Sequence, residues 1–135
     1  MRLRFSIMET FITKGIRISV EPTYRLEQSS PDEDKHVFSY EIIIENRSNH
    51  VVQLISRHWF IFDSIGVRRE VEGEGVVGEQ PTLRPGEKFK YQSWCPLLSE
   101  VGKMHGTFMM KREDTGEVFK VHIPEFHMVV PVRMN

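Results

Sequence analysis

Apolar and polar residues alternate with a period of two from Gly15 almost to the end of the chain, and no stretch of useful length repeats at helical spacing. A period of two sends successive side chains to opposite faces, so the chain is limited to strands that are buried on one face and wet on the other. Gly15 to Val20 sets Ile16, Ile18 and Val20 against Arg17 and Ser19, then meets Pro22, which reads as an edge strand. Val37 to Glu45 places Phe38, Tyr40, Ile42 and Ile44 on one face and stops at the turn Asn46-Arg47-Ser48-Asn49. Val51 to Asp63 is longer and apolar on both faces, as a central strand is, with Val67 to Val71 as its hairpin partner. After a glycine-rich loop and the turn Arg84-Pro85-Gly86-Glu87 come Phe89 to Ser93, then Gly106 to Met110. The tight turn Asp114-Thr115-Gly116 leads into Val118 to Ile123, and beyond Pro124 a short strand runs from Phe126 to Val130. Seven or eight short strands with frequent turns predict an all-β, antiparallel sandwich.

The 135 residues suffice for one domain, taken as residues 15–135, with residues 1–14 as an N-terminal tail and lead-in to the first strand. Met8 is an alternative start to Met1, and the apolar run near it is broken by Ser6, Glu9 and Thr10, so it does not read as a signal peptide. No run approaches the roughly 20 apolar residues of a membrane helix. Eighteen basic against 19 acidic residues leave a formal charge of -1, so no basic field points to nucleic acid or to an anionic membrane. The single cysteine, Cys95, excludes a disulfide scaffold and suits a reducing, cytoplasmic setting.

Gly73-Glu74-Gly75-Val76-Val77-Gly78 has the G-x-G-x-x-G spacing of dinucleotide-binding turns. Pro81 follows too soon for the helix that such a turn must open, and Gln80 before it is pushed out of helical geometry. Two readings remain: a concave nest of backbone N–H groups for a phosphate-type anion, or a loop whose glycines supply positive φ with Val76 and Val77 plugging the core. Glu70, Glu72, Glu74 and Glu79 oppose an anion unless Arg57, Arg68 or Arg69 offsets them. Arg57-His58-Trp59 interrupts the apolar central strand. Trp59 is expected in the core, Arg57 on a loop carboxylate such as Glu72, and His58 on a backbone carbonyl. Gly73, Gly75, Gly78 and Arg57 are therefore the ligand-binding residues expected for a small anion.

No catalytic residue, metal site or cofactor is expected elsewhere. His105, His122 and His127 lack tight ligand spacing, and alternation turns His122 and His127 to solvent. Asp32 to Asp34 offers carboxylates that Mg²⁺ prefers but reads as a solvated loop. Cys95 sits among Trp94, Pro96, Leu97 and Leu98 as a small buried hydrophobe, and no serine elbow or third triad member accompanies His58 and Asp63. Exposed sheet edges, expected at Gly15 to Val20 and Phe126 to Val130, leave room for a protein partner or for self-association as a homodimer.

The segments Val52 to Trp59, Glu70 to Pro81, Leu83 to Glu87, Gly102 to Met110 and Val121 to Phe126 together resemble the bacterial ApaG family, over nearly everything from Gly15 to Pro131. Trp94-Cys95 departs from the smaller residues usual there. The resemblance implies an immunoglobulin or fibronectin type III-like sandwich and no settled catalytic residues. It also implies the glycine motif as a site for a pyrophosphate-type ligand. Proteins of this family are commonly described as cobalt and magnesium efflux proteins, and their gene often neighbours that of a diadenosine tetraphosphate hydrolase; eukaryotic relatives are similar to protein-binding modules. The resulting expectation is a non-enzymatic binding module associated with cobalt and magnesium homeostasis, acting through protein contacts or a small anion. An accessory role or weak phosphohydrolase activity on pyrophosphate-containing nucleotides is the alternative.

Overall fold

The computed structural model describes residues 8–131, and the readings of the first seven residues as a tail and of Met1 as the start lie outside the described residues. Nine strands follow in order: β1 (Glu9–Thr13), β2 (Ile16–Tyr24), β3 (His36–Asn46), β4 (Val52–Asp63), β5 (Arg68–Glu74), β6 (Thr82–Leu83), β7 (Lys88–Leu97), β8 (Val101–Arg112) and β9 (Val118–Val129). Two antiparallel sheets, β1-β2-β3-β7 and β5-β4-β8-β9 with β6 beside β4, pack face to face as a sandwich. The apolar positions read from alternation fill the space between them: Ile16, Ile18, Ile42 and Ile44 come from one sheet and Leu54, Phe108, Phe126 and Met128 from the other, all essentially inaccessible. No helix among the described residues is long and apolar enough to cross a membrane.

Three expectations are corrected. The segment Gly15 to Val20 is not an edge: β1, too short and too exposed to show a clean pattern, pairs with β2 on one side (Thr13 opposite Ile16) while β3 pairs on the other. Pro22 is tolerated inside that sheet, opposite Tyr40. Phe126 to Val130 is not a separate strand, because β9 passes through Pro124 with a register shift against β8 between Met104 and Gly106. That bulge absorbs the proline, so β9 continues with its inward face kept: Phe119, Val121 and Ile123 before it, Phe126 and Met128 after it. β9 does form an edge of its sheet, and there the His122 N–H donates to Thr13 Oγ1 of β1 at 3.2 Å.

β4 owes its two apolar faces to a second bulge. Its register against β8 shifts between Leu54 and Ser56, so the inward set changes phase from Val52 and Leu54 to Arg57, Trp59, Ile61 and Asp63. Trp59 is in the core as expected, 3 % exposed, with its ring edge-on to Tyr40 at 5.4 Å and to Phe126 at 6.1 Å. The same phase change turns Arg57, two residues earlier, towards the interior.

Candidate functional site

The loop after β5 is a tight hairpin tip. Val76 N–H donates to Glu79 O at 2.8 Å and Glu79 N–H returns to Val76 O at 2.9 Å. Val77 and Gly78 between them both have positive φ, 43° and 81°, the handedness that two-residue hairpin turns demand. Val76 is fully buried as the core plug, whereas Val77 is 55 % exposed and plugs nothing. Gly75 has φ +63°, donates to Ile55 O at 2.9 Å, and a Cβ there would lie 2.3 Å from Glu79 O. Two N–H groups of the loop are thus spent on its own closure and a third on β4, and those of Val77 and Gly78 at the tip have no acceptor among the described residues.

Gly73 does something different. It lies within β5 directly opposite Arg57, and a Cβ on it would come within 3.1 Å of both terminal guanidinium nitrogens of Arg57. The missing side chain is the space in which that guanidinium lies flat. From there Arg57 Nη1 donates to Glu74 O and to Gly75 O, each at 2.9 Å. Its partners are backbone carbonyls rather than the Glu72 carboxylate expected from sequence. The structure therefore brings Arg57, Gly73 and Gly75 together, with Gly78 one short turn away at the tip.

Arg57 also lines a cleft of about 210 Å³ between the free side of β5 in one sheet and β7 in the other. A second guanidinium lines it, that of Arg69, on the inward face of β5 opposite Ile61. Arg69 Nη2 reaches across the sandwich to Pro96 O and lies 3.6 Å from Cys95 Sγ. The walls are Trp59, Val71 and Trp94, with the polar Tyr40 and Ser93. Among the described residues neither Arg57 nor Arg69 has a carboxylate within 4.0 Å, although several other surface cations do. Each guanidinium keeps further N–H donors beyond the carbonyls it holds.

The neutral groups around these charges are buried. Tyr40 is 5 % exposed, and desolvation raises its pKa above the ordinary phenol value against a lowering hydrogen bond from Ser93. Tyr91 is pushed up further by burial and by the neighbouring Tyr40, with Arg57 pulling the other way, and its hydroxyl has no hydrogen-bond partner among the described residues. Burial likewise raises the Cys95 thiol, which Arg69 only partly offsets. At 1 % exposure the thiol is buried, as expected of a small hydrophobe. Sequence reading missed Tyr40 and Ser93 as part of this cleft, because alternation alone marks them as ordinary inward positions.

On the outer face of the same hairpin, His58 Nε2 bonds the Glu70 carboxylate and not a backbone carbonyl, and its ring stacks on Phe60 at 4.6 Å. His58, Glu70 and Glu72 place one ligand atom each within 4.8 Å of one another, and they are the residues that could approach a divalent cation. His105 is held between Phe60 and Phe62, at 5.2 Å and 5.6 Å, and does not converge with the exposed His122 and His127. Asp63 faces inward, accepting from Leu98 N–H at 2.6 Å and from Ser99, while His58 faces outward, so the two form no relay. Asp32 to Asp34 fall in and after a single 3-10 turn at the surface.

Residues 26–112 match the family model described as the ApaG domain. Over 120 residues the chain is 48% identical to Protein ApaG of Brucella anthropi, covering 89% of this chain and 92% of that protein. Protein ApaG of Brucella canis is 47% identical over 124 residues, 92% and 95% of the two chains. Among solved structures, the ApaA protein of Bordetella pertussis superposes with a TM-score of 0.83 at 45% identity, covering 85% of this chain and 93% of that one. A β-glucuronidase of Bacteroides uniformis reaches a TM-score of 0.54 at 12% identity over 13% of its own length, a likeness of fold alone.

Proposed function

The chain belongs to the ApaG family, and from that premise we propose that it is a non-enzymatic binding module whose ligand is a small anion of the pyrophosphate type, held by Arg57 and Arg69 in the cleft beside the loop Gly73 to Gly78. The observation that carries this reading is that two guanidinium groups without a carboxylate line one cleft. A half-buried cation without a carboxylate is free to take an anion, and planar guanidinium pairs suit phosphoryl oxygens in particular. Gly73 makes room for one of the two cations, and the open N–H groups of Val77 and Gly78 supply neutral donors at the tip. In support of binding rather than turnover, burial raises the pKa of the thiol and of the phenol that line the cleft, and the ApaG-named relatives carry no catalytic name. A part in cobalt and magnesium homeostasis, as the family resemblance implies, would then be exercised by binding, through this anion or through a protein partner.

The test is an amide chemical-shift titration with pyrophosphate against sulfate at equal ionic strength. Saturable shifts at residues 57, 69 and 73–78 that fall at least about tenfold in affinity in Arg69→Ala support the reading. Flat spectra overturn it, and phosphate release that disappears in Arg57→Ala would replace it with the phosphohydrolase alternative.

A further inference from the structure

The cleft opens along β5, and β5 carries a charge pattern that the fold leaves unanswered. It is the terminal strand of its sheet, so the backbone groups on the side away from β4 have no strand partner among the described residues. Its outward side chains are Arg68, which lies over the Phe62 ring, and then Glu70, Glu72 and Glu74, all exposed. Glu70 is joined to His58, while Glu72 and Glu74 have no cation within 4.0 Å among the described residues. The inward side chains are Arg69, Val71 and Gly73: a cation without a carboxylate, an apolar residue 40 % exposed, and the gap filled by the Arg57 guanidinium. One edge thus shows three carboxylates on its outward face, with Arg68 at the start of the strand as the exception, and positive charge on its inward face.

From this we infer that β5 is a docking edge for an extended peptide segment of a partner protein whose side chains alternate basic and acidic. Added antiparallel to β5, such a segment sets its basic residues over Glu70, Glu72 and Glu74 and its acidic residues towards Arg69 and Arg57, in direct cross-strand pairs. This rests on the reading that the two arginines take an anion, and it names the anion's carrier: a carboxylate side chain on a strand. A second copy of the chain fits less well: antiparallel self-pairing of β5 about Val71 joins Arg68 to Glu74 but sets Glu70 against Glu72 and Arg69 against the gap at Gly73 that the Arg57 guanidinium fills. The other rim of the cleft is a poorer edge, because Pro96 lacks an N–H and its carbonyl is already taken by Arg69.

The experiment uses the full ¹⁵N-labelled chain with two peptides of one composition, Lys-Asp-Lys-Val-Lys-Asp-Glu and the block arrangement Lys-Lys-Lys-Val-Asp-Asp-Glu. The alternating peptide is expected to shift amides 68–74 saturably and to slow their hydrogen exchange, with the block peptide weaker by at least about fivefold. In Glu72→Lys/Glu74→Lys the alternating peptide weakens by at least about fivefold while pyrophosphate binds unchanged or more tightly. Equal binding of both peptides, or indifference to the double reversal, overturns the docking edge. Pyrophosphate shifts without peptide shifts overturn it too and leave the anion reading standing, whereas peptide shifts that survive Arg69→Ala overturn the arginines' part in it.

Discussion

Replacing Gly73 with alanine separates the seat of Arg57 from the stability of the fold. The added methyl would lie 3.1 Å from both terminal nitrogens of Arg57 and 3.2 Å from its central carbon, a few tenths of an ångström closer than such atoms comfortably come. The neighbour is the flexible end of a side chain, so the guanidinium lifts and the strand stays. Filling a strand glycine contributes roughly 0.5–1 kcal/mol. Against it stand the two bonds from Nη1 to Glu74 O and Gly75 O. Charged-donor bonds are worth about 1.5–3 kcal/mol each when buried, and solvent around this half-exposed pair cuts that to about 0.5–1. Gly73→Ala should therefore unfold within about 1 kcal/mol of the parent in urea while weakening pyrophosphate severalfold. In an Arg57→Ala background the steric conflict is gone, and the same change should simply stabilise by about 0.5–1 kcal/mol. The cycle is expected to show a coupling of about 1 kcal/mol, and a coupling below about 0.3 would refute the claim that this glycine exists to seat the arginine.

Val77, a β-branched residue at φ 43° and 55 % exposed, is the strained half of its turn, so Val77→Asn should stabilise by about 1 kcal/mol and raise Tm by a few degrees in a thermal melt. A Cβ on Gly106 would lie 2.1 Å from His58 O, a backbone atom in the middle of the second sheet; Gly106→Ala should cost about 3 kcal/mol or more in chemical denaturation, and a loss under about 1 would mean the β4–β8 pair is looser than described. The pKa values of Tyr40, Tyr91 and Cys95 are all raised on folding. Their stabilisation is thus complete below the unfolded values and is lost as pH climbs past about 9–10 through the folded ones, so Tm should drop there, less steeply in Tyr91→Phe. Tyr91→Phe should also leave stability at neutral pH equal or slightly higher, because it removes a buried hydroxyl without a partner.

The strands were legible where alternation ran unbroken and illegible where it changed phase. β3, with Phe38, Tyr40, Ile42 and Ile44 inward, lies where its pattern placed it. β4 looked apolar on both faces for a reason that alternation cannot state: the bulge after Leu54 swaps the inward and outward sets halfway along. Pro124 misled for the same cause, since a bulge lets one strand carry a residue that would otherwise end it. β1 was invisible because Phe11 and Ile12 are both about half exposed and give no one-sided signal. Its absence from the reading is what made β2 look like an edge.

The site was legible as a list and illegible as an arrangement. Gly73, Gly75 and Gly78 invite a single explanation because they form one motif, yet each answers a different steric demand. Gly73 is an ordinary strand residue whose missing Cβ admits a side chain from the neighbouring strand. Gly75 turns the chain with positive φ where Glu79 O comes too close for any Cβ, and Gly78 completes a left-handed turn with open space around it. A spacing pattern records where side chains are forbidden and not why. Arg57 was singled out for being polar on an apolar strand, but its role follows from the bulge two residues before it, which turns it inward beside Arg69. Two cations on one face of a hairpin, with three carboxylates on the opposite face, can be read from sequence only once the pairing Arg57 with Gly73 and Ile61 with Arg69 is known. The information that makes this edge specific is therefore held in the register of β4 against β5, and a one-residue slip there would exchange the acidic and basic faces while leaving the sequence, and every motif in it, unchanged.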